Sequence, residues 1–104
     1  MTLINPNLTF IKYGRKKIKV SYGKLTDCVG LYDPNLQTLN LDQNLHGLTL
    51  FNTIMHELFH IIMTGDSIDV NEKGEEPIAK AVGDGYTKIF KQNPKLRQIL
   101  FDLF

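Results

Sequence analysis

Apolar and polar residues alternate along the N-terminal half of the chain in the way that is typical of half-buried β-strands. Residues 9–13 and 16–22 show this alternation on either side of Gly14, with Ile18, Val20 and Tyr22 on one face. Two alternating segments joined by a short turn predict a β-hairpin. We therefore expect a hairpin as the first element of the fold.

A second pair of strands is predicted at residues 28–32 and 38–42. The segment Asp33-Pro34-Asn35 lies between them and has the chemistry of a turn, because proline presets one backbone dihedral. In the later strand, the alternation predicts that Leu39 and Leu41 face the core while their polar neighbours face outward.

Helical periodicity replaces this alternation in the second half of the chain. From about residue 49 to residue 63, apolar side chains recur at helical spacing. These residues are Leu50, Ile54, Leu58, Ile61 and Ile62. Gly65 follows the last apolar turn and fits a C-terminal stop.

Two more helices are predicted, over residues 75–92 and 94–104. Pro77 is tolerated in the first turn, where a backbone N–H has no helical partner to lose. Asn93-Pro94 ends the longer helix. The last helix carries an apolar stripe that fits either core packing or a contact between two copies of the chain. The stripe consists of Leu96, Ile99, Leu100, Leu103 and Phe104.

Length and composition indicate one globular domain, residues 1–104, without a disulfide framework. The chain has 104 residues, a formal net charge of +1 and one cysteine, Cys28, which we expect to pack as a small apolar side chain. Six of the twelve basic residues lie between positions 12 and 24, where alternation is typical of a strand with a solvated face. We therefore expect no nucleic-acid partner. No apolar run approaches the roughly 18 residues that span a bilayer, so we expect no membrane partner and a cytoplasmic location.

The segment His56-Glu57-Leu58-Phe59-His60 carries the chemistry of this sequence. On a helix, two histidines four residues apart lie on one face, so their imidazoles can converge on one metal ion. Neutral imidazole suits Zn²⁺, and Glu57 is placed to act as the base for a zinc-bound water. The spacing therefore predicts a zinc site, with His56 and His60 as ligands.

A catalytic zinc site usually has three protein ligands, so one more is expected downstream. The acidic candidates are Asp66, Glu72, Glu75 and Glu76. We favour Glu76, which opens the next helix on the face of Ala79, Gly83 and Tyr86, and where the helix dipole favours a carboxylate. Glu75 is the direct competitor, because its own face carries Ile78, Val82 and Ile89.

The chain resembles the His-Glu-x-x-His metallopeptidases whose third zinc ligand is a glutamate, the gluzincins. Within them it is similar to the compact ImmA/IrrE-like group and to minimal phage-encoded proteins. The matching segments are His56-Glu57-Leu58-Phe59-His60-Ile61-Ile62, Glu76-x-x-Ala79-x-x-Val82-Gly83, Asn93-Pro94, Gly30-Leu31-Tyr32 and Gln37-Thr38-Leu39-Asn40-Leu41-Asp42. One departure is Lys80, at the position where thermolysin-type members have an aspartate.

The resemblance implies an α+β, zincin-like fold, in which a small antiparallel or mixed sheet packs on the active-site helix and two C-terminal helices follow. It implies that His56, His60 and Glu76 bind Zn²⁺ and that Glu57 is the general base and acid of peptide-bond hydrolysis. The strand at residues 38–42 would be the sheet edge that pairs with an extended peptide or protein substrate. His46 and Tyr32 are candidates for polarising the substrate carbonyl.

Two other interpretations stay open at this point. In the first, the same ligands hold a zinc ion that stabilises the fold without catalysis. In the second, the chain is an interaction module, such as a phage accessory protein that binds a partner through its edge strand.

Overall fold

A four-stranded sheet followed by three helices forms the part of the chain that the computed structural model describes, residues 8–68 and 74–104. This arrangement confirms the predicted α+β layout. The strands are β1 (Phe10–Tyr13), β2 (Lys16–Gly23), β3 (Gly30–Asp33) and β4 (Thr38–Asp42), and the helices are α1 (Gly47–Gly65), α2 (Glu75–Gln92) and α3 (Pro94–Asp102).

The order of strands across the sheet is β1-β2-β4-β3. β1 and β2 form the predicted antiparallel hairpin, and Gly14 supplies the positive φ of 63° that its turn needs. β4 pairs parallel with β2 and antiparallel with β3. The prediction that residues 38–42 form the sheet edge is therefore wrong. β4 is central, and β3 is the edge on that side, because β2 and β3 pair with opposite sides of β4.

One face of the sheet packs on α1 and forms the core. Leu39 and Leu41 of β4 are completely buried, as their alternation predicts, and so are Ile11 and Ile18 of the hairpin. The five apolar residues that define the helical periodicity of α1 are all buried as well: Leu50, Ile54, Leu58, Ile61 and Ile62. The core therefore fixes which face of α1 points away from the sheet and towards solvent.

The outer edge of β1 is closed by two side-chain amides at the end of α2. Asn93 Oδ1 accepts from the Lys12 N–H at 2.8 Å, and Asn93 Nδ2 donates to the Lys12 carbonyl at 2.7 Å. Gln92 makes the same pair of bonds to Gly14, at 2.8 and 3.2 Å. These amides occupy the positions that a further strand would use. Among the described residues, no side-chain amides close the outer edge of β3 in this way.

Helix α1 ends against Tyr13 of β1. Gly65 is the last residue of α1 rather than a stop beyond it, the C-cap is Asp66, and a Cβ at residue 65 would lie 2.8 Å from the Tyr13 ring. The Tyr13 hydroxyl donates to Asp66 Oδ2 at 2.6 Å. Burial and then this hydrogen bond raise the pKa of Tyr13 above its ordinary value, so the hydroxyl stays a donor at neutral pH.

The apolar side chains predicted along α3 lie partly in the core and partly at the surface. Leu96, Ile99 and Leu100 are buried, whereas Phe104 is 80% exposed. The prediction of core packing therefore holds for the first two turns and fails at the end of the helix. Among the helices of the described residues, none combines the length and apolarity that crossing a membrane requires.

The two glycines inside α2 provide a matched test of helix packing. A Cβ on Gly85 would lie 2.5 Å from Ile62 Cγ2, whereas a Cβ on Gly83 would meet nothing within 4 Å. We expect Gly85→Ala to lower the free energy of unfolding by about 1–3 kcal/mol through overpacking. We expect Gly83→Ala to raise it by up to about 1 kcal/mol through helix propensity. Urea denaturation measures both, and equal effects would contradict the close approach of α1 and α2.

Candidate metal centre

The two histidines of the motif converge on the exposed side of α1. Their Nε2 atoms are 3.1 Å apart, and their rings meet edge to face with centroids 4.8 Å apart. Zinc–nitrogen bonds of about 2.0–2.1 Å at a tetrahedral angle place two ligand nitrogens about 3.3 Å apart. The separation of the two Nε2 atoms is therefore close to that of two zinc ligands, and at 3.1 Å it is also within hydrogen-bond distance.

Glu57 is turned away from solvent, towards the edge of the sheet. Its side chain is buried, and Oε2 accepts a hydrogen bond of 3.0 Å from the backbone N–H of Tyr32 in β3. Backbone groups alternate in direction along a strand, so the Tyr32 N–H marks the side of β3 that faces away from β4. The carboxylate of the motif is thereby anchored to the edge strand.

Two depressions of about 420 and 310 Å³ lie between β3 and α1, and we call them together the groove. Glu57 lines both of them. His56 lines the first depression, and His60 lines the second. An edge strand on one side and a pair of imidazoles on the other make this a surface on which an extended chain can lie across the candidate metal centre.

Gly30 allows β3 to lie this close to α1, and our reading of the sequence did not identify this role. A Cβ at this position would lie 2.8 Å from Thr53 Cγ2 and 3.4 Å from Glu57 Cγ. A glycine inside a strand often marks such a close approach, and this was the available signal. Cys28 lines the same depression and is exposed, so the expectation that it packs as an apolar side chain is wrong.

The structure does not bring a third ligand to the two histidines. Within residues 8–68 and 74–104, no three His, Cys, Asp or Glu side chains form a group that could hold a metal ion. Glu75 and Glu76 both lie exposed in the first turn of α2. Glu72, another candidate, lies outside the described residues.

The packing of α2 bears on the choice between Glu75 and Glu76. Ala79 and Gly83, which share a face with Glu76, are exposed. Ile89 is fully buried, and Ile78 and Val82 are partly buried on the face of Glu75. Tyr86, the third residue on the face of Glu76, is partly buried and donates to the Met55 carbonyl at 2.9 Å, so both faces reach the rest of the molecule.

Three further residues have definite places. Asp66, considered as a ligand, holds the Tyr13 hydroxyl instead. His46 is exposed and precedes α1, where its Nδ1 is 3.2 Å from the Asn44 carbonyl oxygen. Tyr32 lines the depression beside His60, and burial and then the charge of Asp33 raise its pKa. Of the two candidates for polarising a carbonyl, Tyr32 is therefore the one that borders the groove.

Comparison with known proteins adds no relative to this picture. No protein-family model, no curated protein and no solved structure matches the chain. The functional argument therefore depends on the donor set and the geometry of the groove.

Proposed function

We propose that the chain is a zinc-dependent metallopeptidase in which His56 and His60 bind the metal and Glu57 is the general base. The observation that carries this proposal is the convergence of the two Nε2 atoms beside a carboxylate that lines the same groove. The third ligand in this proposal is a carboxylate from the first turn of α2, either Glu76, as the sequence favours, or Glu75.

The residues of the chain have distinct parts in the proposed reaction. Zinc bound at the two imidazoles would supply a Lewis acid for the peptide carbonyl and would make the attacking water more acidic. Glu57 accepts a proton from that water and passes it to the leaving amine. The Tyr32 N–H holds Oε2 and so limits rotation of the carboxylate.

The proposed substrate is an extended segment of a peptide or protein, bound along β3. An extended chain can add to an exposed sheet edge through main-chain hydrogen bonds. Asn93 and Gln92 occupy the β1 edge, so β3 is the edge that remains beside the motif. Because Glu57 already accepts from the Tyr32 N–H on that edge, a substrate strand would pair with the other outward-facing backbone groups of β3. We place this activity in the cytoplasm, in keeping with the family that the chain resembles.

Zinc content tests the metal site directly. We expect about one zinc per chain in wild-type protein purified without added metal, and a loss of that zinc in His60→Ala. His46→Ala is the matched control, because His46 is also an exposed histidine but precedes α1. A folded wild-type protein without metal would contradict the proposal and would favour the interaction module.

The same measurement on Glu75→Ala and Glu76→Ala assigns the third ligand. We expect one of the two variants to lose zinc and the other to keep it, because a site of this kind takes one carboxylate. Full zinc content in both variants would show that α2 supplies no ligand.

A further inference from the structure

Helix α1 carries a second row of apolar side chains beside the row that forms the core, and its two middle members, Phe51 and Met55, are partly buried against the core. Leu48, Phe51, Met55 and Phe59 follow one another at spacings of three, four and four residues. At about 100° per residue they fall within an arc of about 80°. Leu48 is 56% exposed and Phe59 is 37% exposed. This spacing is the one by which helices pack on other helices.

Helix α3 extends this row into a larger surface. Phe101 is 76% exposed and Phe104 is 80% exposed. The Phe104 ring lies 4.7 Å from the Phe51 ring, which joins the two helices. We call the six residues Leu48, Phe51, Met55, Phe59, Phe101 and Phe104 the apolar stripe.

The surface of the apolar stripe combines projecting rings with a depression that could receive them. Phe51, Met55 and Leu100 line a depression of about 370 Å³, and the exposed Phe101 and Phe104 line it too. A surface that carries both a projection and a matching depression can pair with a copy of itself about a two-fold axis.

Area and charge both agree with a second copy of the chain as the occupant. Taking about 200 Å² for a whole Phe side chain, the exposed parts of Leu48, Phe59, Phe101 and Phe104 amount to about 1,000 Å² over two copies. If fully buried, that area is about the 1,000 Å² that a biological interface should clear and lies below the roughly 1,200–2,000 Å² of stable interfaces, before Phe51 and Met55 are added. Arg97 is the charged residue that lines the depression beside Phe51 and Met55. The chain's net charge of +1 gives little repulsion between copies.

We propose that the chain forms a two-fold symmetric homodimer through the apolar stripe of α1 and α3. This interface extends beyond the contact that the α3 sequence suggests, because α1 supplies four of its six residues. On α1 the stripe and Glu57 lie on roughly opposite sides of the helix. The stripe nevertheless reaches the histidine pair at Phe59, whose ring centroid lies 6.0 Å from that of His60, so pairing would place the second copy next to His60.

Sedimentation velocity over a range of micromolar concentrations tests the dimer. We expect the wild-type chain to sediment at twice the mass of one chain, and Phe101→Glu and Leu48→Glu to weaken the association at least tenfold. Leu36→Glu is the matched control, because Leu36 is 72% exposed in the turn between β3 and β4. It should dimerise like the wild type.

Three results would overturn the proposal: a wild-type chain that stays single at every concentration, assembly beyond two copies, or equal weakening by Leu36→Glu. A single chain would show that the apolar stripe does not pair with a copy of itself. Circular dichroism checks that each variant folds. If Phe101→Glu does not fold, Leu48→Glu provides the test, because it lies on a different helix.

Discussion

Replacing Glu57 with glutamine is expected to lower peptide hydrolysis by about 10²–10⁴-fold while zinc remains bound. The glutamine carbonyl can still accept the Tyr32 N–H, so the fold and the anchoring to β3 should survive. The amide, however, cannot take a proton from water at neutral pH. Zinc content and the cleavage rate of a labelled unfolded protein, measured on the same preparation, separate these effects.

The control for this substitution is Asp84→Asn, which makes the same chemical change on an exposed carboxylate paired with Lys80 on α2. It should cleave the substrate like the wild type. If zinc-loaded Glu57→Gln cleaves as fast as the wild type, Glu57 is not the base. If the zinc-loaded wild type cleaves nothing and loses stability when the metal is chelated, the non-catalytic zinc fold is the better description.

The largest effect on stability is expected at Asn93. Its side chain makes two hydrogen bonds to Lys12 in β1 and a third, from Nδ2, to the Ile89 carbonyl at 2.7 Å. Asn93→Ala removes all three and leaves the N–H and the carbonyl of Lys12 without these partners, each at a cost of about 1 kcal/mol or more, whereas the Ile89 carbonyl still accepts the backbone N–H of residue 93. We expect the free energy of unfolding to fall by about 2–4 kcal/mol, a large part of the total for a domain of this size.

Two matched variants make this stability prediction specific. Asn93→Asp keeps the acceptor for the Lys12 N–H but loses both donated bonds, so its loss should be intermediate. Gln92→Ala removes the equivalent bonds to Gly14 at an exposed position and should cost less than about 1 kcal/mol. Urea denaturation gives the free energies, and hydrogen exchange at the Lys12 amide reports the edge itself. If Gln92→Ala lowered the free energy of unfolding as much as Asn93→Ala, the burial of Asn93 would not be the reason for its large effect.

The elements of the fold could be predicted because their signals are local. The hairpin turn at Gly14 and the helix break at Asn93-Pro94 depend on dihedral preferences of neighbouring residues. The position of β4 could not be predicted in this way. Its alternation of apolar and polar residues is compatible with a central strand or an edge strand, because alternation reports which face is buried and not which strands lie alongside.

The candidate site likewise has some features that the sequence predicts and others that it does not. The spacing of His56 and His60 on a helix is sufficient to bring their imidazoles together. Nothing in that spacing indicates that the Tyr32 N–H holds Glu57, because the two residues are 25 positions apart and meet only when β3 packs beside α1. The sequence shows that Gly30 is a glycine within a predicted strand, but it does not show that Thr53 lies where a Cβ at this position would be.

By itself, the sequence determined the helices, the strand pairs and the histidine pair, since each follows from dihedral preference or periodicity within one element. Only the tertiary structure decided that β3 is the edge strand beside the motif, that amides close the β1 edge, and that Leu48 and Phe59 of α1 stay exposed. These features depend on which distant segments lie side by side. Which segments lie side by side is decided by the packing of the whole core, because the residue pattern of one segment does not specify which other segment lies next to it.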